Sequence, residues 1–365
     1  LWAFVLIFIW VLVQANLLHW TFALNSITWH AHEMLFGFTS AIVAGFILTA
    51  SQNWAGKPGV SGKPLQILTG LWLLARVLSL FSQAKLLFTV VDLLFFPYLM
   101  YLLIPYLGIA SQKRNHIFFI LFSILFVSNL FVHLEVWDIT QTTARPAYLV
   151  ATHTIIVMII LLGGRVIPFF TERAISASKP IKINWIEILV IPSSILFIIF
   201  EATIPNHFLT GLYCFFLALL HFLRWFFWGP QKVIKIPLLW ILYVGYLWVP
   251  IGFLLYGLVA WGHLMPSLAT HALASGAIGI MIYAMVSRVT LGHTGRALVA
   301  DRWMVLGYIL ISAVPLIRVI LVSFKPDVMS KAITSSGVLW CLAYLIIFVR
   351  ICPMLLHIRP DGKMG

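Results

Sequence analysis

Apolar runs of about bilayer length follow one another along the whole chain, and they leave one class of fold open. A helix needs roughly 20 apolar residues to cross a hydrocarbon core. Runs of that kind cover approximately residues 1–18, 29–51, 65–83, 86–108, 116–134, 147–167, 185–202, 207–228, 237–260, 266–289, 303–323 and 333–354. In lipid every backbone N–H and C=O must be satisfied internally, so such runs predict helices. The reading is an all-α, polytopic membrane protein of about twelve transmembrane helices. It forms a single transmembrane domain over residues 1–365, with no connection large enough for a soluble domain. The chain is 62% hydrophobic and 9% charged, against roughly 25% charged in a soluble domain. The run at residue 1 reads as a first span rather than a signal peptide, because it has no basic leader and no small-residue cleavage site. The seventh run is the shortest and is interrupted by Pro192-Ser193-Ser194.

The net charge of +13 does not point to nucleic acid, because the cations sit in short connections between apolar runs and form no polar domain. Their partner is the bilayer surface. With the N-terminus inside, 17 of the 23 Lys and Arg fall on the inner side, among them Lys113-Arg114, Arg173, Lys179, Lys182, Lys232 and Lys235. The outer side holds Arg76, Lys85, Arg145, Arg318, Lys325 and Lys331. The positive-inside rule then puts both ends in the cytoplasm. Cys214, Cys341 and Cys352 are scattered through apolar runs without a Cys-x-x-Cys, which excludes a thiolate zinc site and covalent c-type haem attachment.

Within this frame the histidines stand out. Trp29-His30-Ala31-His32-Glu33 opens the second run, and Ala-Thr-His triplets end in His153 and His271 near the start of the sixth and tenth. The steps from His32 to His153 and from His153 to His271 are 121 and 118 residues. That spacing predicts three units of four helices presenting imidazoles at one depth, near the outer face. Ionisable groups at such depth are costly and mark function by default. Neutral imidazole is an axial ligand of haem and also suits copper, so a metal cofactor is the expected purpose. Residues two apart point about 200° from each other on a helix, so His30 and His32 serve two sites or two roles. His30 shares a stripe with Gly37, Ala41 and Gly45, which admits a close neighbour. His32 shares its face with Phe36, Thr39, Val43 and Phe46. Glu33 can fix a ring by accepting its second N–H, or relay protons.

His19, His133, His207 and His263 read as interfacial, with His133 the best extra ligand because Asn129 lies one turn away; His221 reads as packing near Arg224. On the inner side, Gly163-Gly164-Arg165-Val166-Ile167-Pro168-Phe169-Phe170-Thr171 and Ser287-Arg288-Val289-Thr290-Leu291-Gly292-His293-Thr294-Gly295-Arg296 combine glycines with arginines. Arg165, Arg288 and His293 are secondary candidates there, for a propionate or a lipid phosphate. They lie about 25 Å from the outer histidines at 1.5 Å per residue.

Taken together, these blocks resemble the NnrS family of bacterial multispan proteins. The matching pieces are Trp29 to Phe38, Ala44-Gly45-Phe46 leading to Asn53-Trp54-Ala55-Gly56, Gly163 to Thr171, His271-Ala272-Leu273 with Gly276-Ala277-Ile278-Gly279, and Leu291 to Arg296. The resemblance implies haem and copper as cofactors and a part in the response to nitric oxide and nitrosative stress. A more distant architectural likeness is to the catalytic subunit of haem–copper oxidases, with twelve helices and histidines on helices two, six, seven and ten. Here the seventh run, Trp185 to Ala202, has none, which argues against a complete three-histidine copper centre.

The expectation is therefore a b-type haem held by His271 and one of His30 or His32, with the remaining span-2 histidine and His153 binding copper or a second haem. A small gas such as nitric oxide is the ligand, served by a membrane electron donor if the protein is a nitric oxide-related oxidoreductase. Two other readings compete with it. One is a secondary transporter of a metal or small anion, whose pathway the histidines and Glu33 line and whose helices break at Pro192 and Pro250. The other is a structural partner of another oxidase.

Overall fold

The computed structural model describes residues 1–175, 179–204, 207–360 and 362. Among them every regular element is helical. Twelve helical stretches follow the twelve apolar runs: α1 (Trp2–Gln14), α2 (Ser26–Ala55), α3 (Lys63–Ser79), α4 (Ser82–Leu107), α5 (Ile117–Val136), α6 (Ala144–Ala174), α7 (Asn184–Thr203), α8 (Phe208–Lys232), α9 (Pro237–Ala260), α10 (Pro266–His293), α11 (Arg302–Phe324) and α12 (Pro326–Leu356). Ten are long and apolar enough to cross a membrane, and the protein is a multi-pass membrane protein. The exceptions are the first and third runs. Asn16 takes φ 56° and α1 stops at 13 residues, while α3 has 17, so both fall short of the expected spans 1–18 and 65–83.

The expected interruption in the seventh run does not occur. α7 and α9 run through Pro192 and Pro250. A proline removes an N–H and strains the preceding turn, and the hydroxyls beside Pro192 take up carbonyls there: Ser193 Oγ donates to Leu189 O and Ser194 Oγ to Val190 O, each at 2.5 Å. The departures from α geometry lie elsewhere. π-helical segments occupy Glu33–Thr39 in α2, Ala272–Gly279 in α10 and Leu316–Leu321 in α11. The first begins directly after His32 and the second directly after His271. Such insertions cluster at functional sites.

Contacts divide the chain into two compact units: Leu12–Thr154, and Leu1–Val11 with Ile155–Gly365. In the first, α4 packs against α2, α3 and α5. In the second, α9 lies against α8 and α10, and α12 against α10 and α11. α9 and α10 are the most buried spans, at 72% and 78% of their apolar windows, so this unit's core runs along them.

Candidate functional site

The Leu12–Thr154 unit buries a cluster of ionisable groups contributed by four helices. α2 brings His32 and Glu33, α3 brings Arg76, α4 brings Asp92, and α5 brings Asn129 and His133; all are at most 3% exposed. Arg76 is the hub. Its Nη1 donates to Glu33 Oε1 at 2.7 Å and its Nη2 pairs with Asp92 Oδ1. Asp92 Oδ2 accepts from Asn129 Nδ2 at 2.6 Å and faces His32 Nε2 at 3.1 Å and His133 Nε2 at 3.2 Å. Gly37 makes this possible. A Cβ there would stand 2.4 Å from Arg76 Nη1 and 2.8 Å from Glu33 Oε2, so the glycine is where the guanidinium enters. At Gly45 the stripe admits no such close neighbour, since a Cβ there would meet nothing within 4 Å.

Two carboxylates and one guanidinium leave one negative charge without a fixed partner, and a buried charge must be compensated. His32 is placed to do so: Nδ1 lies 3.2 Å from Glu33 Oε1 and Nε2 lies by Asp92. A ring between two carboxylates donates at both nitrogens only as an imidazolium. His133 gives a second place for positive charge. The Thr89 hydroxyl donates to Lys85 O at 2.9 Å, so its 3.1 Å contact with His133 Nδ1 has the ring N–H as donor. Trp137 Nε1 donates to the same hydroxyl at 3.0 Å. His133 Nε2 then faces Asp92 Oδ2 either with a second proton or with a lone pair.

The same atoms suit a metal ion. One ligand atom each from His32, Asp92 and His133 lies within 4.8 Å of the others. In a tetrahedral site with bonds of about 2.0–2.1 Å, neighbouring ligand atoms stand roughly 3.4 Å apart, close to the two nitrogen–carboxylate distances here. Two imidazoles and a carboxylate suit copper, zinc or iron. A divalent cation would take the place of the ring protons in balancing the charge. Phe36 and Phe88 cover His32, with ring centroids 5.2 and 5.3 Å away, and keep water from the group.

The two Ala-Thr-His triplets adopt one local geometry. Thr152 and Thr270 donate their hydroxyls to the carbonyls of Tyr148 and Pro266. His153 Nδ1 lies 2.9 Å from Leu149 O, and His271 Nδ1 lies 2.7 Å from Ser267 O. Since a carbonyl only accepts, both rings carry the proton on Nδ1, and Nε2 holds the lone pair. This is how metal-ligating histidines are usually anchored. His153 is buried and His271 and His30 are half-buried. His32 is grouped with Asp92 and His133, and His153 is not a member of that group.

Arg165 and His293 are exposed, and His293 O accepts from Arg359 Nη1 at 2.7 Å. Arg288 is buried with its guanidinium 3.9 Å from the Phe170 ring centroid. His207 caps α8, its Nδ1 accepting from Leu209 N at 3.2 Å. His19 and His263 are exposed, as interfacial rings are. The glycines of the Gly163-Gly164 motif seat a second buried arginine: a Cβ on Gly164 would lie 2.0 Å from Arg224 Nη2. Arg224 pairs with Glu187 Oε2 at 2.5 Å and donates through Nη1 to Ile160 O at 2.9 Å and to Tyr246 Oη at 3.0 Å. Tyr246 Oη also meets His221 Nδ1 at 3.0 Å, so His221 packs near Arg224 as expected.

Sequence reasoning passed over Arg76 and Asp92. By charge alone Arg76 reads as one of the outer-side cations, and Asp92 belongs to no motif. The signal available was a lone charge inside each of two apolar runs.

No curated protein matches the chain. A family model described as NnrS protein matches residues 1–359. The chain thus belongs to the NnrS family.

Proposed function

We propose that this protein is a bacterial inner-membrane metalloprotein that binds haem and copper and engages nitric oxide or a related small species. Copper goes to His32, Asp92 and His133, and haem iron to His271 through Nε2. The observation that carries the reading is the buried His32–Asp92–His133 group, three donor atoms within 4.8 Å beside a charge that needs a cation. The anchored Nδ1–H of His271 and the family membership support the haem assignment. When bound, the haem would supply an iron able to take nitric oxide as a ligand. The chain's own residues orient the imidazoles, exclude water and hold a proton at Nδ1 of His32 and of His133, leaving each Nε2 for the metal.

An absorption spectrum and metal analysis of detergent-purified protein, with and without nitric oxide, tests this. The expected result is a Soret band that nitric oxide shifts and that His271→Ala loses while the protein stays folded. His133→Ala should lose copper and keep the Soret band. The buried proton-holding network also gives the transporter reading its support. A colourless, metal-free protein that moves a metal or anion into vesicles would replace the first reading with that one.

A further inference from the structure

Arg318 sits in the π-helical segment Leu316–Leu321 of α11, which packs against Pro266–His271 and against α12. It is 7% exposed, and its Nη1 is buried with no hydrogen-bond partner among the described residues. The other charged clusters set a contrast. Arg76 holds two carboxylates and Arg224 holds Glu187, whereas no described ion pair includes Arg318. A second orphan lies on the facing element. Ser267 Oγ is also buried without a partner, one turn before His271, and Ser267 O is the acceptor that anchors the His271 ring. Arg318 and His271 are close enough to interact electrostatically. An unpaired guanidinium costs several kcal/mol to bury, and a planar fork of donors matches a carboxylate or phosphate.

We propose that Arg318, with the Ser267 hydroxyl, forms a binding site for an oxygen-bearing anion beside His271. The chemistry fits two sources, a propionate of a haem ligated by His271 or the phosphate of an anionic lipid; the first rests on the haem reading above. A propionate would tie the porphyrin's orientation to α11.

The test uses the full chain in nanodiscs, comparing wild type with Arg318→Met, which keeps the volume, and Arg318→Lys, which keeps the charge. Haem affinity is read by absorbance titration with haem and with haem dimethyl ester, whose propionates are masked. Unfolding midpoints are read in phosphatidylcholine alone and with phosphatidylglycerol added. A propionate source predicts that Arg318→Met weakens haem roughly 10- to 100-fold, that the ester weakens wild type by a similar factor, and that the ester costs the variant nothing further. Arg318→Lys should recover part of the loss. A lipid source predicts haem affinity indifferent to the variant, and a stabilisation by phosphatidylglycerol that wild type shows and Arg318→Met lacks. A wild type that binds no haem overturns the haem reading while the lipid arm still decides the anion site. A variant that matches wild type in both arms overturns the site itself.

Discussion

Arg76 decides whether the buried cluster is tolerable. It joins Glu33 and Asp92, and removing it leaves two carboxylates facing His32 with no fixed cation. Arg76→Ala should therefore destabilise the protein by about 3–5 kcal/mol, the range for breaking a buried pair from one side. Adding Glu33→Gln should recover part of this, because the second change removes one of the orphaned charges. Unfolding midpoints of the two variants in one detergent check both statements; equal midpoints for Arg76→Ala and wild type would refute the hub role. This cluster was half legible in the sequence. His32, Glu33, His133 and Asn129 could be found because each lies within a turn of another polar residue on its own run. Arg76 and Asp92 carry only the mark of a lone charge in an apolar run, because their partners lie 16 to 60 residues away on other helices and only packing of α3 and α4 against α2 brings them together.

At the scale of elements, the glycine motifs are entrances for arginine side chains. Gly164→Ala puts a methyl against Arg224 Nη2, and Arg224 is held by Glu187, Ile160 O and Tyr246, so it cannot swing aside at no cost. A loss of about 1–3 kcal/mol is expected from overpacking, and it should shrink in an Arg224→Met background; a double-mutant comparison of midpoints reads the difference. The N-terminus of α11 offers a pH test outside the membrane. Asp301 accepts from Trp303 N and Met304 N, each at 2.9 Å, and pairs with Arg350. Partial burial pushes its carboxyl up, but the Met304 N–H and the Arg350 guanidinium outweigh this and hold it below the ordinary carboxylate range. A depressed carboxyl adds stability that is present above the unfolded value and lost as pH falls through the folded one. Asp301→Ala should cost about 1 kcal/mol at neutral pH, the typical worth of such a cap, and the gap to wild type should close in acid. The sequence disclosed helix positions, because apolar length alone sets them. It concealed the three π segments, since one extra residue in a turn leaves no mark on a run that is apolar throughout. It also overstated Pro192, whose effect is absorbed by the serines beside it.

For the whole molecule, the distribution of charge sets sidedness. Lipid penalises translocating cations, and 17 of the 23 Lys and Arg lie in connections or helix ends on one side of the alternating spans. The positive-inside rule predicts that this side is the cytoplasm. With the short helices α1 and α3 crossing as well as the ten longer ones, the connection after α2 is inside and the one after α3 outside. Ser61 is exposed in the first of these connections, and Gln83 is exposed in the first turn of α4 at the end of the second. In a Cys352→Ser background, with Cys214 and Cys341 buried, an impermeant maleimide added to intact cells should label Gln83→Cys at once and Ser61→Cys only after the membrane is opened. The same orientation has a chemical consequence. Asp92 lies seven residues into the chain from Lys85, about 10 Å at 1.5 Å per residue, so on this topology the buried cluster would sit one to two turns beneath the outer surface. Protons and metal ions would thus reach His32 and His133 from the outer side, and the basic inner connections would hold the opposite end at the anionic leaflet. Reversed labelling would move the cluster to the cytoplasmic half and require its metal to come from inside the cell.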